Sequence, residues 1–276
     1  MQTFKIKLFY VKSKFCKTLI FFTTVVLILI ACNTPATNTQ KKEATNINTA
    51  ISVKPDTTKT VYLTFDDGPL NGTQGILAAL DKEQIPATMF MVGLHVEADT
   101  VMRNRFEMAY NDDLLEVGNH SFLHANNHYE AYYSSPQKVL EDFNKNQDLL
   151  RFKDKDGRMP GRNTWRIANR SKDDPFSNGK EAADLLRKNG YTIFGWDLEW
   201  MHIKDGKPVQ TVKQMFEEIE KSTNDPQKCF TPYHFVLLAH DEMFRMPWEV
   251  SELKQLVDLL KAEGYKFDHT DNYPGK

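Results

Sequence analysis

Short apolar runs alternate with amphipathic segments from Val61 to the end of the chain. Runs of about five apolar residues bounded by polar ones predict strands. Segments with apolar residues at helical spacing predict helices, and Gly190 and Gly264 close two of them. The predicted strands are 61–65, 87–92, 115–119, 158–160, 192–197, 235–239 and 265–269. The predicted helices are 73–82, one that begins at Ser135-Pro136, 180–189, 209–221 and 248–263.

Strands that alternate with helices indicate parallel βαβ units and an α/β fold. About seven such units favour a (β/α) barrel, closed or incomplete, over the alternative of a doubly wound open sheet. Residues 60–276 show no internal repeat and no break in composition, so we expect them to form one domain.

The first 31 residues differ from the rest of the chain. They contain five lysines and no acidic residue, followed by the uncharged apolar run Leu19–Ile30. Twelve residues are short for a bilayer span but fit the core of a signal peptide. We therefore expect residues 1–31 to be a signal peptide, with an N-terminal membrane helix as the alternative.

The end of this apolar run resembles the lipobox of bacterial lipoproteins, in the sequence Leu29-Ile30-Ala31-Cys32. The resemblance implies that Cys32 is lipidated and becomes the first residue of the mature chain. Residues 32–59 are rich in Thr, Asn and Lys and lack aromatic residues, which is typical of a flexible tether. We expect a lipid-anchored protein of the bacterial cell envelope, facing the periplasm or the cell surface.

Charge and cysteine content exclude several classes. Without residues 1–31 the chain has 30 basic and 37 acidic residues, a formal charge of about −7. This balance argues against a nucleic-acid partner. Cys229 would be the single cysteine left in the domain, so no internal disulfide is expected. The sequence gives no indication of oligomeric state.

Two adjacent carboxylates, Asp66 and Asp67, follow the first predicted strand. Side chains alternate along a strand, so both can act on one substrate only if the backbone turns there. We expect Gly68-Pro69 to supply that turn. Because burying two carboxylates together is costly without a cation, the pair predicts a metal ion nearby.

Polar residues recur at the ends of later predicted strands, where a βα barrel places its active site. His120 and His124 follow the third strand, and on one helical turn their imidazoles would point the same way. His240 ends the sixth strand. Two imidazole nitrogens and one carboxylate oxygen are a usual ligand set for catalytic zinc. A His-x-x-x-His pair also arises by chance on solvated faces, but here it accompanies the two carboxylates and His240.

These motifs resemble those of polysaccharide deacetylases of the NodB-like type, carbohydrate esterase family 4. Thr64 to Pro69 resembles the first family motif without change, His120 to His124 the second, and Leu238-Ala239-His240 the last. The resemblance extends from about Val61 to Tyr273. It implies a distorted barrel of about seven strands and an acetylated polysaccharide as substrate.

The resemblance also implies roles for the motif residues. Asp67, His120 and His124 would hold a divalent metal, most often zinc, with cobalt, nickel or manganese as alternatives. Asp66 would be the general base that takes a proton from the attacking water. His240 would be the general acid that protonates the leaving amine or alkoxide.

The third motif departs from the family pattern. The family has Arg-x-Pro followed by an aromatic residue, and this chain has Arg158, Pro160 and then Gly161. By the resemblance, Arg158 would orient Asp66 through an ion pair and the N–H of Gly161 would be an oxyanion donor. We expect Arg162 or Trp165 to replace the missing aromatic wall of the groove.

The fourth motif also departs. It reads Glu199-Trp200 where the family has Asp-Trp, and Asp197 lies two residues earlier. Either acid can pair with Arg158. Trp200 and Leu238 match family positions that line the acetyl pocket, and plain barrel packing is the alternative for both.

The sequence therefore predicts a metal-dependent hydrolase that removes N- or O-linked acetyl groups from a polysaccharide such as peptidoglycan, a chitin-like glycan or xylan. Two alternatives belong to other classes. One is a lipid-anchored glycan-binding protein on an altered esterase fold, which the retention of Asp66 disfavours because a binder needs no general base. The other is a hydrolase of a small amide, for which a closed pocket would be the sign.

Overall fold

A ten-stranded sheet forms the centre of the protein in the computed structural model, which describes residues 57–223, 225 and 227–276. The strand order is β6-β5-β7-β4-β3-β2-β1-β9-β8, and β10 pairs with β1 outside this path. The strands are β1 (Thr60–Gly68), β2 (Ala87–Met91), β3 (Leu115–Asn119), β4 (Asp156–Gly157), β5 (Trp165–Ile167), β6 (Arg170–Lys172), β7 (Thr192–Ile193), β8 (Leu198–Glu199), β9 (His234–His240) and β10 (Lys266–Phe267).

Eight α-helices connect the strands within the described residues, and all five predicted helices are among them. The structure adds α2, α3 and α4 to the predicted set. The helices are α1 (Thr73–Glu83), α2 (Gly93–Ala98), α3 (Thr100–Tyr110), α4 (Tyr129–Tyr133), α5 (Pro136–Leu150), α6 (Lys180–Lys188), α7 (Val212–Thr223) and α8 (Pro247–Ala262).

The sheet curls into an open, distorted barrel, which confirms the predicted α/β fold class. Strands β4, β3, β2, β1, β9 and β8 all pair in parallel. Parallel pairing follows from the helical crossovers between these strands. The barrel stays open because β6 and β8 are the unjoined ends of the strand order in the described chain.

The structure differs from the predicted strands on one side of the barrel. The strand expected at 158–160 lies at Asp156–Gly157, so Arg158 and Pro160 follow the strand instead of forming it. An unpredicted antiparallel hairpin, β5–β6, fills the following stretch. Four of the ten strands have only two residues each, which is why an apolar-run criterion gives about seven.

Strand β1 is buried along nearly its whole length. Its Val61, Leu63 and Phe65 side chains pack in the main apolar core with α1, α7 and α8. Each such fully buried side chain contributes about 1.5–3 kcal/mol of transfer free energy. A rigid β1 therefore fixes the position of the polar residues at its carboxyl end.

The predicted signal peptide, Cys32 and residues 32–56 of the predicted tether lie outside the described residues. From residue 57 onward, no described helix combines the length and apolarity needed to cross a bilayer.

Candidate active site

A cavity of about 230 Å³ lies at the carboxyl ends of β1, β3 and β9, where a βα barrel places its chemistry. Asp66 of β1 and His240 of β9 stand at paired positions on these neighbouring strands. The cavity is lined by Asp66, Asp67, His120, His124, Tyr129, Gly161, Trp196, Glu199, Leu238 and His240.

A β-bulge, and not the expected Gly68-Pro69 turn, brings the two aspartates to one side. Strand β1 continues through Gly68, and its register with β2 shifts between Phe65 and Gly68. Asp67 within this bulge has a φ of 68°, in the left-handed region. A bulge places two residues of one strand opposite a single residue of its partner and changes the direction of a side chain. The adjacent carboxylates of Asp66 and Asp67 can therefore both reach the cavity.

Asp67, His120 and His124 converge. The Nε2 atoms of His120 and His124 lie 3.3 and 2.9 Å from Oδ1 of Asp67. In the part of the chain that the structure describes, these three form one of two groups of potential ligand atoms close enough to share an ion. The structure thus brings together the three residues expected to bind metal.

The two imidazoles do not converge by a helical turn, so that expectation was wrong. His124 has a φ of 49° and Ser121 a φ of 65°, both left-handed. Asn119 Oδ1 accepts a hydrogen bond from the Ser121 N–H, and Ser121 Oγ accepts one from the His124 N–H. A tight loop fixed by these two bonds therefore aims the second imidazole back at the first.

The hydrogen bonding of His120 fits a cation at this point. Its Nδ1 lies 2.9 Å from the carbonyl oxygen of Arg158, so Nδ1 carries the proton that it donates there. In the neutral ring, Nε2 then presents a lone pair to the carboxylate of Asp67, so this contact needs either a proton on Nε2 or a metal cation between the two atoms. The donor set of two imidazoles and one carboxylate suits zinc.

The electrostatics of the group point the same way. Burial raises the pKa of Asp67, but hydrogen bonds from His120 and His124 outweigh it and hold that pKa well below its usual range. Burial lowers the pKa of His120, but the negative charge of Asp66 and the hydrogen bond to Asp67 outweigh it, and the pKa is raised. The site is therefore a negative centre that draws positive charge.

Asp66 is buried beside Arg158. Arg158 Nη1 donates to Asp66 Oδ1 at 2.9 Å and to Thr64 Oγ1 at 2.7 Å. The second carboxylate oxygen, Oδ2, lies 3.6 Å from Nε2 of His120. The ion pair orients the carboxylate, and Oδ2 is left facing the cavity.

Neither candidate acid of the fourth motif pairs with Arg158. The Nε and Nη2 groups of Arg158 donate to the backbone carbonyls of Phe194 and Gly195 instead. Asp197 instead accepts hydrogen bonds from the backbone N–H groups of Phe230 and Val236, at 2.7 and 2.9 Å. Burial raises the pKa of Asp197 to about 6, in spite of those hydrogen bonds.

Glu199 and Leu238 line the cavity, and Trp200 does not. Trp200 is fully buried in the main core and donates its indole N–H to the carbonyl of Gln210 at 2.9 Å. The packing alternative therefore describes Trp200 better than a place in the acetyl pocket.

The residues expected to replace the groove wall are also buried. Trp165 is completely buried and stacks on Phe230. The side chain of Arg162 is 7 % exposed, with donors bound to Glu130 and Asn178. Pro160 is buried, and Gly161 is exposed at the cavity. Neither Arg162 nor Trp165 supplies the wall.

Besides Trp196, which lines the cavity, three more residues near the site were not predicted from the sequence. His95 Nδ1 lies 3.1 Å from the carbonyl oxygen of Asp67. The ring of His202 lies 4.8 Å from that of His240, centroid to centroid, and Tyr129 lines the cavity. None of the three belongs to a motif of regularly spaced residues. The sequence offered one indication, that these polar aromatic residues come soon after predicted strands or between them.

The second group of potential ligands, Glu116, Asp156 and Asp271, is separate from this site. Lys276 Nζ lies 2.5 Å from Asp156 Oδ2 and also contacts Asp271. The Lys276 ammonium group thus already binds two of the three acids, and the group lies outside the cavity, so the cavity is the better candidate metal centre.

Comparison with known proteins gives three kinds of match. Residues 53–194 match the family model described as polysaccharide deacetylase. The chain is 23 % identical to a chitin disaccharide deacetylase of Vibrio alginolyticus over 83 % of this chain and 76 % of that protein. It is 27 % identical to a peptidoglycan-N-acetylglucosamine deacetylase of Bacillus cereus over 76 % of this chain and 68 % of that protein. A carbohydrate esterase family 4 structure from Streptococcus mutans has the same fold, with a TM-score of 0.58, 24 % identity and coverage of 76 % of this chain and 85 % of that one.

Proposed function

The chain belongs to the polysaccharide deacetylase family, carbohydrate esterase family 4, and from this premise we propose that it is a metal-dependent N-deacetylase of N-acetylglucosamine residues in a glycan. The relatives named chitin disaccharide deacetylase and peptidoglycan-N-acetylglucosamine deacetylase support this choice of sugar. Release of O-linked acetyl groups is the alternative within the same reaction class.

One observation carries the proposal. Asp67, His120 and His124 converge on one point, and Asp66 of the buried Asp66–Arg158 pair lines the same cavity beside His240, its paired position on the neighbouring strand. A protein that only bound glycans would have no use for a buried carboxylate held beside such a centre.

A divalent cation held by Asp67, His120 and His124 would lower the pKa of a water molecule and polarise the acetyl carbonyl. Asp66 would accept the proton of the attacking water on Oδ2, because Arg158 occupies Oδ1. Arg158 orients the carboxylate through their ion pair, and is therefore a positioning residue.

The backbone of Gly161 would stabilise the negative oxygen that develops on the acetyl carbon. Among the described residues no acceptor takes the Gly161 N–H, and Gly161 lines the cavity. A free backbone donor at the reacting carbonyl supplies electrostatic stabilisation without reorganisation. His240 would protonate the leaving nitrogen from the neighbouring strand, so separate residues would accept and donate the two protons.

We also propose that the protein is attached to the cell envelope through a lipid on Cys32, outside the cytoplasm. The lipobox-like sequence and the basic segment before it support this. Such an anchor would bring the cavity to a glycan of the envelope.

The test of the reaction is acetate release from peptidoglycan, tetra-N-acetylchitotetraose and acetylated xylan by zinc-loaded protein. We expect release from the N-acetylated substrates, loss of release on dialysis against a chelator, and recovery on adding zinc. Asp66→Asn should lower kcat about 10²- to 10⁴-fold because it removes the proton acceptor. Its zinc content after dialysis should equal that of the wild type, whereas Asp67→Ala should lose zinc.

Asp113→Asn is the matched control, an exposed acid outside the cavity that should leave acetate release unchanged. The proposed deacetylase reaction is contradicted if the zinc-loaded wild-type protein releases no acetate from any of the three substrates. The role of Asp66 is wrong if the Asn variant keeps full activity.

A further inference from the structure

The ring of Tyr129 separates the cavity from a second, more open depression. This depression has a volume of about 410 Å³. Tyr129 is half-buried and contributes to both spaces. The depression is lined by Asn127, His128, Tyr129, Glu130, Ala131 and Arg162.

Helix α4 holds Tyr129 in place by contacts to the third-motif loop. The hydroxyl of Tyr133 donates to the carbonyl of Pro160 at 2.7 Å, in a fully buried position. Arg162 Nη2 donates to Glu130 Oε1 at 2.9 Å. These two contacts fasten the short helix to the loop that contains Gly161, so the position of the Tyr129 ring is set by the fold.

The Tyr129 ring lies directly against Gly161. A Cβ atom at position 161 would lie 3.1–3.2 Å from three carbons of that ring. Gly161 also has a φ of 62°, in the left-handed region that favours glycine. The missing side chain at 161 and the ring of Tyr129 are therefore complementary, and an aromatic wall comes from α4 in place of the third motif.

The other side of this wall is polar and exposed. The Tyr129 hydroxyl lies 3.4 Å from Asn127 Oδ1, and Asn127 and His128 are exposed. Binding sites for small ligands typically combine an aromatic surface with a few polar groups that fix orientation. A pyranose presents an apolar C–H face and peripheral hydroxyl groups, which match an aromatic ring beside amide and imidazole groups.

We infer that Tyr129 is a specificity-determining residue that binds the sugar next to the acetylated one, with the depression as a second sugar subsite. The inference rests on the proposed deacetylase function and adds the length of the substrate to it. The enzyme should act on N-acetylglucosamine oligomers of two or more units, because the open depression continues from the cavity and a single sugar reaches only the cavity.

The test compares N-acetylglucosamine with tetra-N-acetylchitotetraose as substrates of zinc-loaded protein. Wild type should have a kcat/KM at least tenfold higher for the tetramer. Tyr129→Ala should lower kcat/KM for the tetramer about tenfold more than kcat/KM for the monomer, mainly through KM, because the ring contributes binding in ground and transition states alike. Tyr129→Phe keeps the ring and should behave as wild type.

Tyr110→Ala is the matched control, since it truncates a half-buried tyrosine outside the cavity and the depression. It should leave the tetramer-to-monomer ratio of kcat/KM unchanged. If Tyr129 had a purely structural role, Tyr129→Ala would lower kcat/KM for both substrates equally. An unchanged tetramer-to-monomer ratio of kcat/KM in Tyr129→Ala would therefore overturn the inference.

Calorimetric titration of the protein with the tetramer separates this inference from the proposed function. Weaker binding by Tyr129→Ala supports the subsite even if wild type released no acetate, an outcome that would contradict the deacetylase function alone. Equal tetramer affinity of wild type and Tyr129→Ala would overturn the subsite, even if acetate is released.

Discussion

Asp67 combines a candidate metal-ligand side chain with an unusual backbone conformation. Its left-handed φ of 68° is uncommon for a non-glycine residue, and asparagine and aspartate tolerate it best. The half-buried His95 supports this conformation, because its Nδ1 lies 3.1 Å from the Asp67 carbonyl oxygen. Burial lowers the pKa of His95, in spite of the negative charge of Asp67, and so favours a neutral ring that donates from Nδ1.

His95→Ala should therefore weaken zinc binding without removing a ligand. We expect the zinc dissociation constant to rise about tenfold, as is typical when a group that supports a ligand is lost. His95→Gln should retain most of the affinity because its amide can donate the same hydrogen bond. Competition with a chromophoric chelator measures the constants.

His269→Ala truncates another half-buried histidine, away from the cavity, and is the control for that experiment. Equal zinc affinity in His95→Ala and His269→Ala would contradict the supporting role of His95.

At the scale of elements, a strong apolar periodicity was sufficient to predict a helix. Elements without such a periodicity were missed. Helices such as α5 and α8 were predicted because apolar residues recur on one face, and the structure buries those faces. The β5–β6 hairpin was missed because each strand has only three residues and β6 contains no apolar residue. Arg166 is nonetheless buried and paired with Asp173 and Asp184, contacts that only the folded chain creates.

Asp241 connects two elements, since it links the end of β9 to the start of α1. Its carboxylate accepts hydrogen bonds from the Gly72 N–H at 2.8 Å and the Thr73 hydroxyl at 2.5 Å. Complete burial nevertheless raises its pKa to about 6, from an ordinary value of 3.8. A carboxyl group with a raised pKa favours the folded state when protonated, and that stabilisation is lost as pH rises from about 4 to about 6.

Asp241→Asn should remove this pH dependence, because the amide does not titrate. Its NH₂ group can donate to the Thr73 oxygen and so keep the contact. The free energy of unfolding of the variant minus that of the wild type should increase by roughly 2 kcal/mol from pH 4.5 to pH 7.5. Urea unfolding at the two pH values measures it. A difference that stays constant with pH would show that Asp241 titrates alike in the folded and unfolded chain.

At the scale of the whole molecule, the site collects residues that are far apart in sequence. Asp66 and His240 are neighbours across β1 and β9, and Arg158 reaches Asp66 from the loop after β4. The parallel barrel makes this possible because all of these strands end at the same edge. The cavity and the Tyr129 depression adjoin at Tyr129, an arrangement that fits a substrate longer than one sugar.

The proposed lipid on Cys32 predicts where the whole protein is found. Expressed in a bacterial host, the full chain should enter the detergent phase on Triton X-114 partition, and Cys32→Ser should move to the aqueous phase. Cys16→Ser is the matched control and should behave as wild type. If Cys32→Ser stays in the detergent phase, the alternative of an N-terminal membrane helix is correct.

The fold class, the main helices and the residues that could carry chemistry were predictable from the sequence. Periodicity reports burial, and closely spaced acids and histidines are visible without coordinates, as Asp66, Asp67, His120 and His124 show. The division of roles among them came from the family resemblance and remains a prediction.

The way in which these residues come together could be seen only in the folded chain. The β-bulge at Asp67, the left-handed loop at His124 and the bonding of Arg158 to backbone carbonyls depend on contacts between distant segments, which local spacing does not encode. For the same reason the sequence suggested Arg162 or Trp165 as the groove wall, whereas packing buries both and places Tyr129 over Gly161.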